Sequence, residues 1–458
     1  MKKIGFKKGM IRFFVVTLVT AALGQPAWTQ ENPTAKGGKR VLTLDQALAI
    51  AWEKNKDIQK AKEYRKQVEG RYVEERAAAL PQFVLQGSFN RSRDESMKVL
   101  GRAYPLEQEI LSVGIGVSQV LYSFGQVGAA IRAAKVGIQT ADDQLALYQQ
   151  AALKDVSAAF YDALLSKELY QMARQNLEQR IRHQEEAKKK YAVGTATEYD
   201  VLAAEVAVEN ARPEVIRGEN LVRITRDRLR FLLGLEERDI EVEGTLTTGP
   251  APVPSLEECL AQAWKNRPEL SALKHRIGMA EELVKIYRAM DKPRLDLKAG
   301  YGWKSLDILT AKGEGTTWSA GLVLTFPFFD GLRTRGKVAQ AQSEVNTLKI
   351  EEAKLMDAIL LQTQEALNAV REAEEIVKGL SGTVAQAKKL LAMAEKGYEF
   401  GVKTKLDVDD AELNLMLAQT NLAKARRDYL AARTNLLWVM GVIRPPAEVS
   451  SVNAPKMP

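Results

Sequence analysis

Apolar and polar residues alternate with a period of two in four segments of the chain, a pattern typical of strands with one apolar face. In the first segment, Phe83, Leu85 and Phe89 share one face. The segments form two pairs, each separated by a polar loop, and they predict β-hairpins over residues 82–121 and 294–326. Each strand is expected to have about 9–11 residues, the length that a tilted strand needs to cross a bilayer.

The remaining segments have helical periodicity. A single helix of about 37 residues is predicted before each hairpin, capped by Thr43 or Ser255. After each hairpin, a very long helix without an internal proline is predicted, over residues 126–192 and 333–399. At 1.5 Å per residue, each long helix would be ~100 Å in length.

Each long helix reverses direction through the same motif, Tyr-x-x-Gly-x-x-Thr-x-x-Asp-Val, at residues 191–201 (the first tip) and 398–408 (the second tip). The glycine suits a left-handed helix C-cap and the threonine suits an N-cap, so each tip should join the long helix to a return helix. The return helices are predicted over 197–233 and 404–440. Large and small residues share a heptad seam in the second, which is typical of antiparallel coiled-coil packing, and Pro213 is predicted to kink the first.

These elements recur in order, so the chain is predicted to be an internal twofold repeat. The first repeat covers residues 41–245 and the second covers 255–443, with a proline-rich linker at 246–254 and a short tail at 444–458. The offset between the copies changes from 212 to 207 residues within the loop of the first hairpin, where an exposed loop accepts insertions best.

Composition changes the picture mainly at the N-terminus. The chain of 458 residues has a formal charge of +8, but residues 1–24 hold five basic residues and a short apolar run, the pattern of a secretory signal peptide ending between 24 and 27. Without it, 61 basic residues stand against 58 acidic ones, a net charge of +3. No basic cluster interleaved with aromatic residues is present, so nucleic acid is not an expected partner.

The sequence offers no candidate residues for enzymatic chemistry. It has one cysteine, Cys259, and two distant histidines, His183 and His275, and it lacks the HExxH, GxSxG and phosphate-binding loop motifs. No catalytic, cofactor-binding or metal site is therefore predicted, and no cofactor is expected. After the signal peptide, no apolar run approaches the ~20 residues of a spanning helix, so a membrane segment would have to consist of strands.

Four strands cannot close a barrel, yet every strand edge in a bilayer must be paired. Three chains that share one barrel would supply twelve strands. The expected fold is thus a mixed membrane protein in which several chains share one β-barrel, with four strands from each chain, continued by a long α-helical barrel of coiled-coil hairpins.

In its duplicated helix openings, in the Phe326-Pro327-Phe328-Phe329-Asp330-Gly331 segment and in its doubled tips, the sequence resembles the TolC-like outer membrane efflux proteins. The resemblance implies a trimer in the outer membrane with a periplasmic helical extension. It also implies that the protein is the exit duct of a tripartite efflux system for small molecules. Its partners in that system would be a periplasmic adaptor and an inner-membrane transporter of the RND, ABC or MFS type.

The resemblance assigns the periplasmic gate to Asp407 and Asp410, which share a helix face at a spacing of three. Under threefold symmetry they would form two stacked acidic rings that attract cations. A purely local role is also open for Asp407, because Thr404-x-x-Asp407 is a helix-capping pattern.

The resemblance further implies that Asp200, Tyr398 and Lys403 link neighbouring hairpins and hold the closed state. Lysine at 403 departs from the arginine of some members, so a bidentate pair with a carboxylate is not available. The alternative is that Asp200 only caps its helix while Tyr398 and Lys403 are solvated. The residues expected to contact the adaptor are Gly194, Thr197, Gly401 and Thr404.

Aromatic residues at the strand ends and just beyond them are candidates for the membrane interface. They are Tyr301, Trp303, Trp318, Phe326, Phe328 and Phe329. Two other functions stay open at this point. One is an exit duct for type I protein secretion, and the other is a soluble periplasmic coiled-coil scaffold or adaptor, which would not explain the four alternating strands.

Overall fold

A computed structural model describes residues 40–445, apart from 95, 97, 100–101, 104–105, 237–238, 248, 250–251 and 309–310. The predicted signal peptide and all but the first two residues of the predicted tail lie outside the described residues. The chain divides into two units, Met1–Arg40 and Val41–Pro458. The elements below belong to the second unit, with Arg40 as the first residue of the first strand.

The described part of the chain is mostly helical. Its helices are α1 (Leu44–Lys54), α2 (Lys56–Ala77), α3 (Gln126–Ala192), α4 (Glu198–Leu233), α5 (Leu256–Asn266), α6 (Pro268–Arg288), α7 (Arg333–Glu399) and α8 (Lys405–Val439). Its strands are β1 (Arg40–Leu42), β2 (Gln82–Asp94), β3 (Lys98–Val99), β4 (Arg102–Ala103), β5 (Leu106–Tyr122), β6 (Ile240–Val242), β7 (Arg294–Ile308) and β8 (Ala311–Thr325). None of the described helices is long and apolar enough to span a membrane.

The helix before each hairpin is divided in two, which corrects the prediction of a single helix of about 37 residues. Asn55, with φ −58° and ψ 130°, ends α1 and caps α2, because its side chain accepts hydrogen bonds from the backbone N–H groups of Asp57 and Ile58. In the second copy the break lies at Arg267. Its extended backbone is what a following proline, Pro268, favours, and Pro268 suits the first turn of α6.

The return helices start where threonine caps them. Thr197 and Thr404 stay outside α4 and α8 as N-caps with extended backbone. Helix α4 continues through Pro213 as far as Leu233, so this proline does not end it. The heptad seam predicted in α8 has nine positions, of which Leu415 and Ala432 are half-buried. The other seven are buried between α8 and its neighbours: Val408, Ala411, Ala418, Leu422, Ala425, Tyr429 and Leu436.

The two hairpins join in one antiparallel sheet with the strand order β2-β5-β7-β8. Its strands have 13, 17, 15 and 15 residues, longer than the predicted 9–11. The pairing continues past the apolar positions as cross-strand ion pairs, such as Arg91–Glu109 at 3.3 Å and Arg93–Glu107 at 3.2 Å. At these strand ends charged residues take the positions of apolar ones, so a prediction from apolar periodicity underestimates the length of the strands.

The largest buried cluster lies where the middle of α3 meets the C-terminal end of α4. Phe160 and Leu153 of α3 are buried there with Leu229 and Leu233 of α4. The short strands β1 and β6 pair with each other, and their residues Leu42 and Val242 belong to the same buried cluster. This core fixes α3 at mid-length, at some distance along the helix from both the first tip and the sheet.

Candidate functional site

The two tips have the same backbone geometry. The long helix ends in a glycine with a left-handed backbone, Gly194 with φ 77° and Gly401 with φ 74°. Around them, the N–H of Thr195 donates to the carbonyl of Lys190 at 2.9 Å, and the N–H of Val402 donates to that of Gly397 at 2.8 Å. A side chain at either glycine would strain the backbone, so both tips depend on glycine to reverse the chain.

A reciprocal capping box starts the return helix at each tip. In the second tip, the Asp407 carboxylate accepts hydrogen bonds from the backbone N–H and the hydroxyl of Thr404, both at 2.8 Å. Asp200 makes the same pair of bonds to Thr197, at 2.8 and 2.7 Å. Two of the three predicted site aspartates, Asp200 and Asp407, therefore have a local capping function in this chain.

The capping box sets the charge of these carboxylates. The backbone hydrogen bond from Thr404, its hydroxyl and the Lys403 side chain together lower the pKa of Asp407 to about 2. The hydrogen bonds from Thr197 likewise lower the pKa of Asp200. Both side chains are ionised throughout the pH range in which cells live.

The two predicted gate residues differ in their surroundings. Lys403 reaches Asp407 with Nζ to Oδ1 at 3.2 Å, and its methylene stem lies over Gly397, where no side chain occupies the space. Asp410 is exposed on the same face of α8, one turn further along. Among the described residues it has neither an ion pair nor a hydrogen bond. Asp410 is thus the uncompensated carboxylate of the pair.

The three predicted latch residues are not brought together within the chain. Asp200 is bonded to Thr197 and Lys403 to Asp407, each inside its own tip. Tyr398 instead contacts the first repeat, with the Lys190 ammonium 5.6 Å from its ring centroid. A link between hairpins through Asp200 would therefore need a group from outside this chain.

Above the tips, a charged cluster joins α3 to α8, and sequence reasoning missed it. Arg180 of α3 lies 2.9 Å from Asp409 and 3.4 Å from Glu412 of α8. His183 of α3 contacts Glu412 through Nε2 at 3.1 Å and the Lys405 ammonium through Nδ1 at 3.2 Å. The only sign in the sequence is the spacing of 405, 409 and 412, which places them on one face of α8.

Glu412 is the most buried member of this cluster, with 7% of its side chain exposed. Burial acts to raise the pKa of its carboxyl group, but the hydrogen bond from His183 and the charges of His183, Arg180 and Lys405 outweigh it, so the pKa is lowered overall. The carboxylate is stabilised by positive charge from the other repeat. The two repeats therefore depend on each other electrostatically near the tips.

The candidate interface aromatics lie in and beside the sheet. Tyr301 and Trp318 are opposite each other on β7 and β8, and both are exposed. Trp303 is half-buried one position further along the same face. The remaining three, Phe326, Phe328 and Phe329, follow β8 and are exposed. Apolar side chains of this size are costly to leave in water, so the surface of the sheet requires an apolar environment.

No group of three or more potential ligands is close enough to hold a metal ion within the described residues. The predicted adaptor-contact residues at the tips are all exposed: Gly194, Thr197, Gly401 and Thr404. Exposed apolar side chains surround them, including Phe400, Val402 and Leu406.

The model of the outer membrane efflux protein family matches this chain over residues 47–235 and 259–442, most of its length. The chain belongs to this family. It is accordingly a protein of the outer membrane with a periplasmic extension, and its family consists of export channels.

Individual efflux and secretion proteins are similar along most of the chain. It is 25% identical to the outer membrane protein TolC of Vibrio cholerae over 385 residues, covering 83% of this chain and 86% of TolC. It is also 25% identical to the alkaline protease secretion protein AprF of Pseudomonas aeruginosa over 381 residues, covering 80% and 78% of the two chains. The CmeC outer membrane channel of Campylobacter jejuni has the same fold, with a TM-score of 0.77, 16% identity and coverage of 89% and 88%.

Proposed function

We propose that this efflux protein is one subunit of a homotrimeric channel, the exit duct of a tripartite system that exports small molecules. The observation that carries the proposal is the four-stranded sheet with one apolar face, attached to helices of 67 residues. A sheet alone would suit a soluble protein, and helices alone would suit a scaffold. Together they fit a membrane barrel joined to a periplasmic tube.

The edges of the sheet support a barrel shared between chains. In the described part of the chain, β2 and β8 each pair on one side only. Unpaired strand edges are not stable in a bilayer, so each edge needs a strand from a neighbouring copy. Three copies would give twelve strands, within the range of outer-membrane barrels.

The apolar band of the sheet is slanted, which supports a tilted membrane sheet. On β2 the band covers 83–89, level with 299–305 of β7. On β8 it covers 318–324, level with 295–301 of β7. The band therefore shifts by four residues, about 14 Å, over three strand spacings that also total about 14 Å. Strands tilted by roughly 40–45° would bring this slanted band level with the bilayer, and that is the tilt typical of membrane barrels.

The internal repeat gains support from the family match. The two matched ranges begin 212 residues apart and end 207 residues apart. These are the two offsets at which the sequence motifs recur. We therefore keep the interpretation of two structural repeats, each supplying one hairpin of strands and one hairpin of long helices.

The proposed partners are those that membership of the efflux protein family implies. A periplasmic adaptor is the proposed partner of the exposed tip residues, and an RND, ABC or MFS transporter in the inner membrane would supply the energy. Export of a protein by a type I system is the second candidate, because AprF, named as a protease secretion protein, is similar over most of the chain. If the protein were a soluble scaffold, the apolar face of the sheet would be exposed to water.

The gate is proposed to be an acidic constriction where six tips meet in the trimer. Asp410 would contribute most of the free charge, because Lys403 compensates Asp407 within the chain. Asp200, Tyr398 and Lys403 are proposed to act as a closed-state latch between neighbouring hairpins, since inside one chain the three residues are held by separate partners.

Planar bilayer recording tests the channel and its gate. We expect the purified protein to form cation-selective pores, and the double variant Asp407→Ala with Asp410→Ala to lose most of that selectivity. Glu214→Ala, an exposed acid on α4 paired with Arg217, is a matched control that should leave selectivity unchanged. Equal reversal potentials for wild type and double variant would refute the gate, and an absence of pores would refute the channel.

A further inference from the structure

The polar face of the sheet has an uneven charge. It holds every second residue of the four strands, opposite to the apolar face, and most of these residues are small or neutral, such as Ser112, Gly114 and Gly302. One charged residue of this face, Asp94, is the last residue of β2, and the other four are all on β7: Arg294, Asp296, Lys298 and Lys304.

Two of these four charges cancel. The Arg294 guanidinium donates to the Asp296 carboxylate at 2.9 Å. Lys298 and Lys304 are exposed, and among the described residues neither has an ion pair or a hydrogen bond. Strand β7 therefore places two uncompensated positive charges on the polar face of each chain.

The neighbours of the two lysines across the strands leave this charge accessible. Lys298 lies between Ser118 and Gly321, and Lys304 lies between Ser112 and Gly315. None of these neighbours carries a charge or a side chain large enough to cover an ammonium group. The lysines are six positions apart on one strand, so about 20 Å separates them along the sheet.

We infer that Lys298 and Lys304 form an anion-attracting zone inside the barrel, which determines the charge preference of the outer part of the duct. The inference rests on the proposed trimer, in which the polar face lines the lumen and each lysine becomes a ring of three. Rings of like charge lining a pore select ions of opposite sign. The barrel would thus favour anions, whereas the acidic tips at the other end favour cations.

The lysine zone would act on a multivalent anionic cargo, and its effect would depend on the salt concentration. A multivalent anion would be concentrated in the barrel, because a cleft lined by one sign of charge raises the local concentration of the opposite ion. The attraction acts over a longer range when salt is dilute, since the Debye length rises from about 10 Å at 0.1 M to about 30 Å at 0.01 M.

The test is block of single-channel current by ferrocyanide, a multivalent anion, added to the barrel side of wild-type trimers in dilute potassium chloride. We expect Lys298→Gln with Lys304→Gln to weaken the block by about tenfold, because the summed attraction of several lysines for one multivalent anion is lost. Lys312→Gln is the matched control. Lys312 lies on the opposite face of the same hairpin, ion-paired with Asp307, and its loss should leave the block unchanged.

Lys298→Arg with Lys304→Arg keeps the charge and should keep the block, which separates charge from side-chain shape. If the glutamine variant is blocked as strongly as wild type, or if wild type is not blocked at all, the lysine zone is refuted while the channel stands. If the wild-type protein forms no pores, the proposed function fails instead.

Discussion

The capping box at the second tip links the charge of one residue to the start of a helix. Asp407 holds Thr404 through two hydrogen bonds and is itself held by Lys403. Its folded-state pKa of about 2 is below the unfolded value of about 3.9. A lowered carboxylate pKa contributes stability that is present above the unfolded pKa and is lost as the pH falls through the folded one, here between about 4 and 2.

Hydrogen exchange of the first turn of α8 tests this assignment. We expect Thr404→Ala to reduce protection there by roughly 1 kcal/mol of local opening free energy, the usual cost of losing a threonine cap. In wild type, protection should be equal at pH 7 and pH 5 after correction for intrinsic exchange rates. Thr383→Ala, in the exposed interior of α7, serves as the control. A loss of protection between pH 7 and pH 5 would contradict the low pKa of Asp407.

At the scale of elements, the contact between α3 and α8 depends on the buried carboxylate of Glu412. Removing one partner of a buried charge cluster leaves the others uncompensated, which is more costly than losing an exposed ion pair. Arg180 and His183 would both lose their shared partner. The tip of the second hairpin would then be held mainly by its seam with α7.

Glu412→Ala should therefore destabilise the protein by about 2–3 kcal/mol, measured as a lower thermal midpoint of the detergent-solubilised protein. Glu214→Ala removes an exposed pair with Arg217 and should cost less than about 0.5 kcal/mol. The coupling is checked by adding Arg180→Ala, since the second loss should cost less once Glu412 is absent. Equal midpoints for Glu412→Ala and Glu214→Ala would show that the cluster does not stabilise the α3–α8 contact.

The elements differ in how well local sequence defines them. The long helices have bounds that follow from glycine, threonine and the absence of proline, all of which act within a few residues. The breaks at Asn55 and Arg267 also had local signals, a capping asparagine and a following proline, but continuous apolar periodicity concealed them. The Glu412 cluster had only the spacing of its members on α8, because His183 of α3 is 229 residues away in sequence and meets Glu412 only after the repeats pack.

The sheet illustrates the same limit. The alternation of apolar and polar residues located all four strands, because one face of each strand is apolar. The alternation ends at the first charged cross-strand pairs, so the predicted strands were shorter than the observed ones. The order β2-β5-β7-β8 joins the two repeats through β5 and β7, a pairing across nearly 200 residues that no local pattern specifies. The apolar slant across the sheet becomes visible only when this register is known.

At the scale of the whole molecule, one chain is incomplete in two respects. Its sheet has two unpaired edges among the described strands, and its apolar face is exposed. In the proposed trimer, three copies in a membrane would resolve both, and the tips and the polar face of the sheet would then lie towards the two ends of one duct. The central claim is therefore the trimer in the outer membrane, and the gate, the latch and the lysine zone all depend on it.

Membrane fractionation followed by gel electrophoresis without heating tests this claim most directly. We expect the protein in the outer-membrane fraction, extracted by detergent as a species of about three times the monomer mass that converts to monomer on boiling. A monomer in the soluble periplasmic fraction would contradict it.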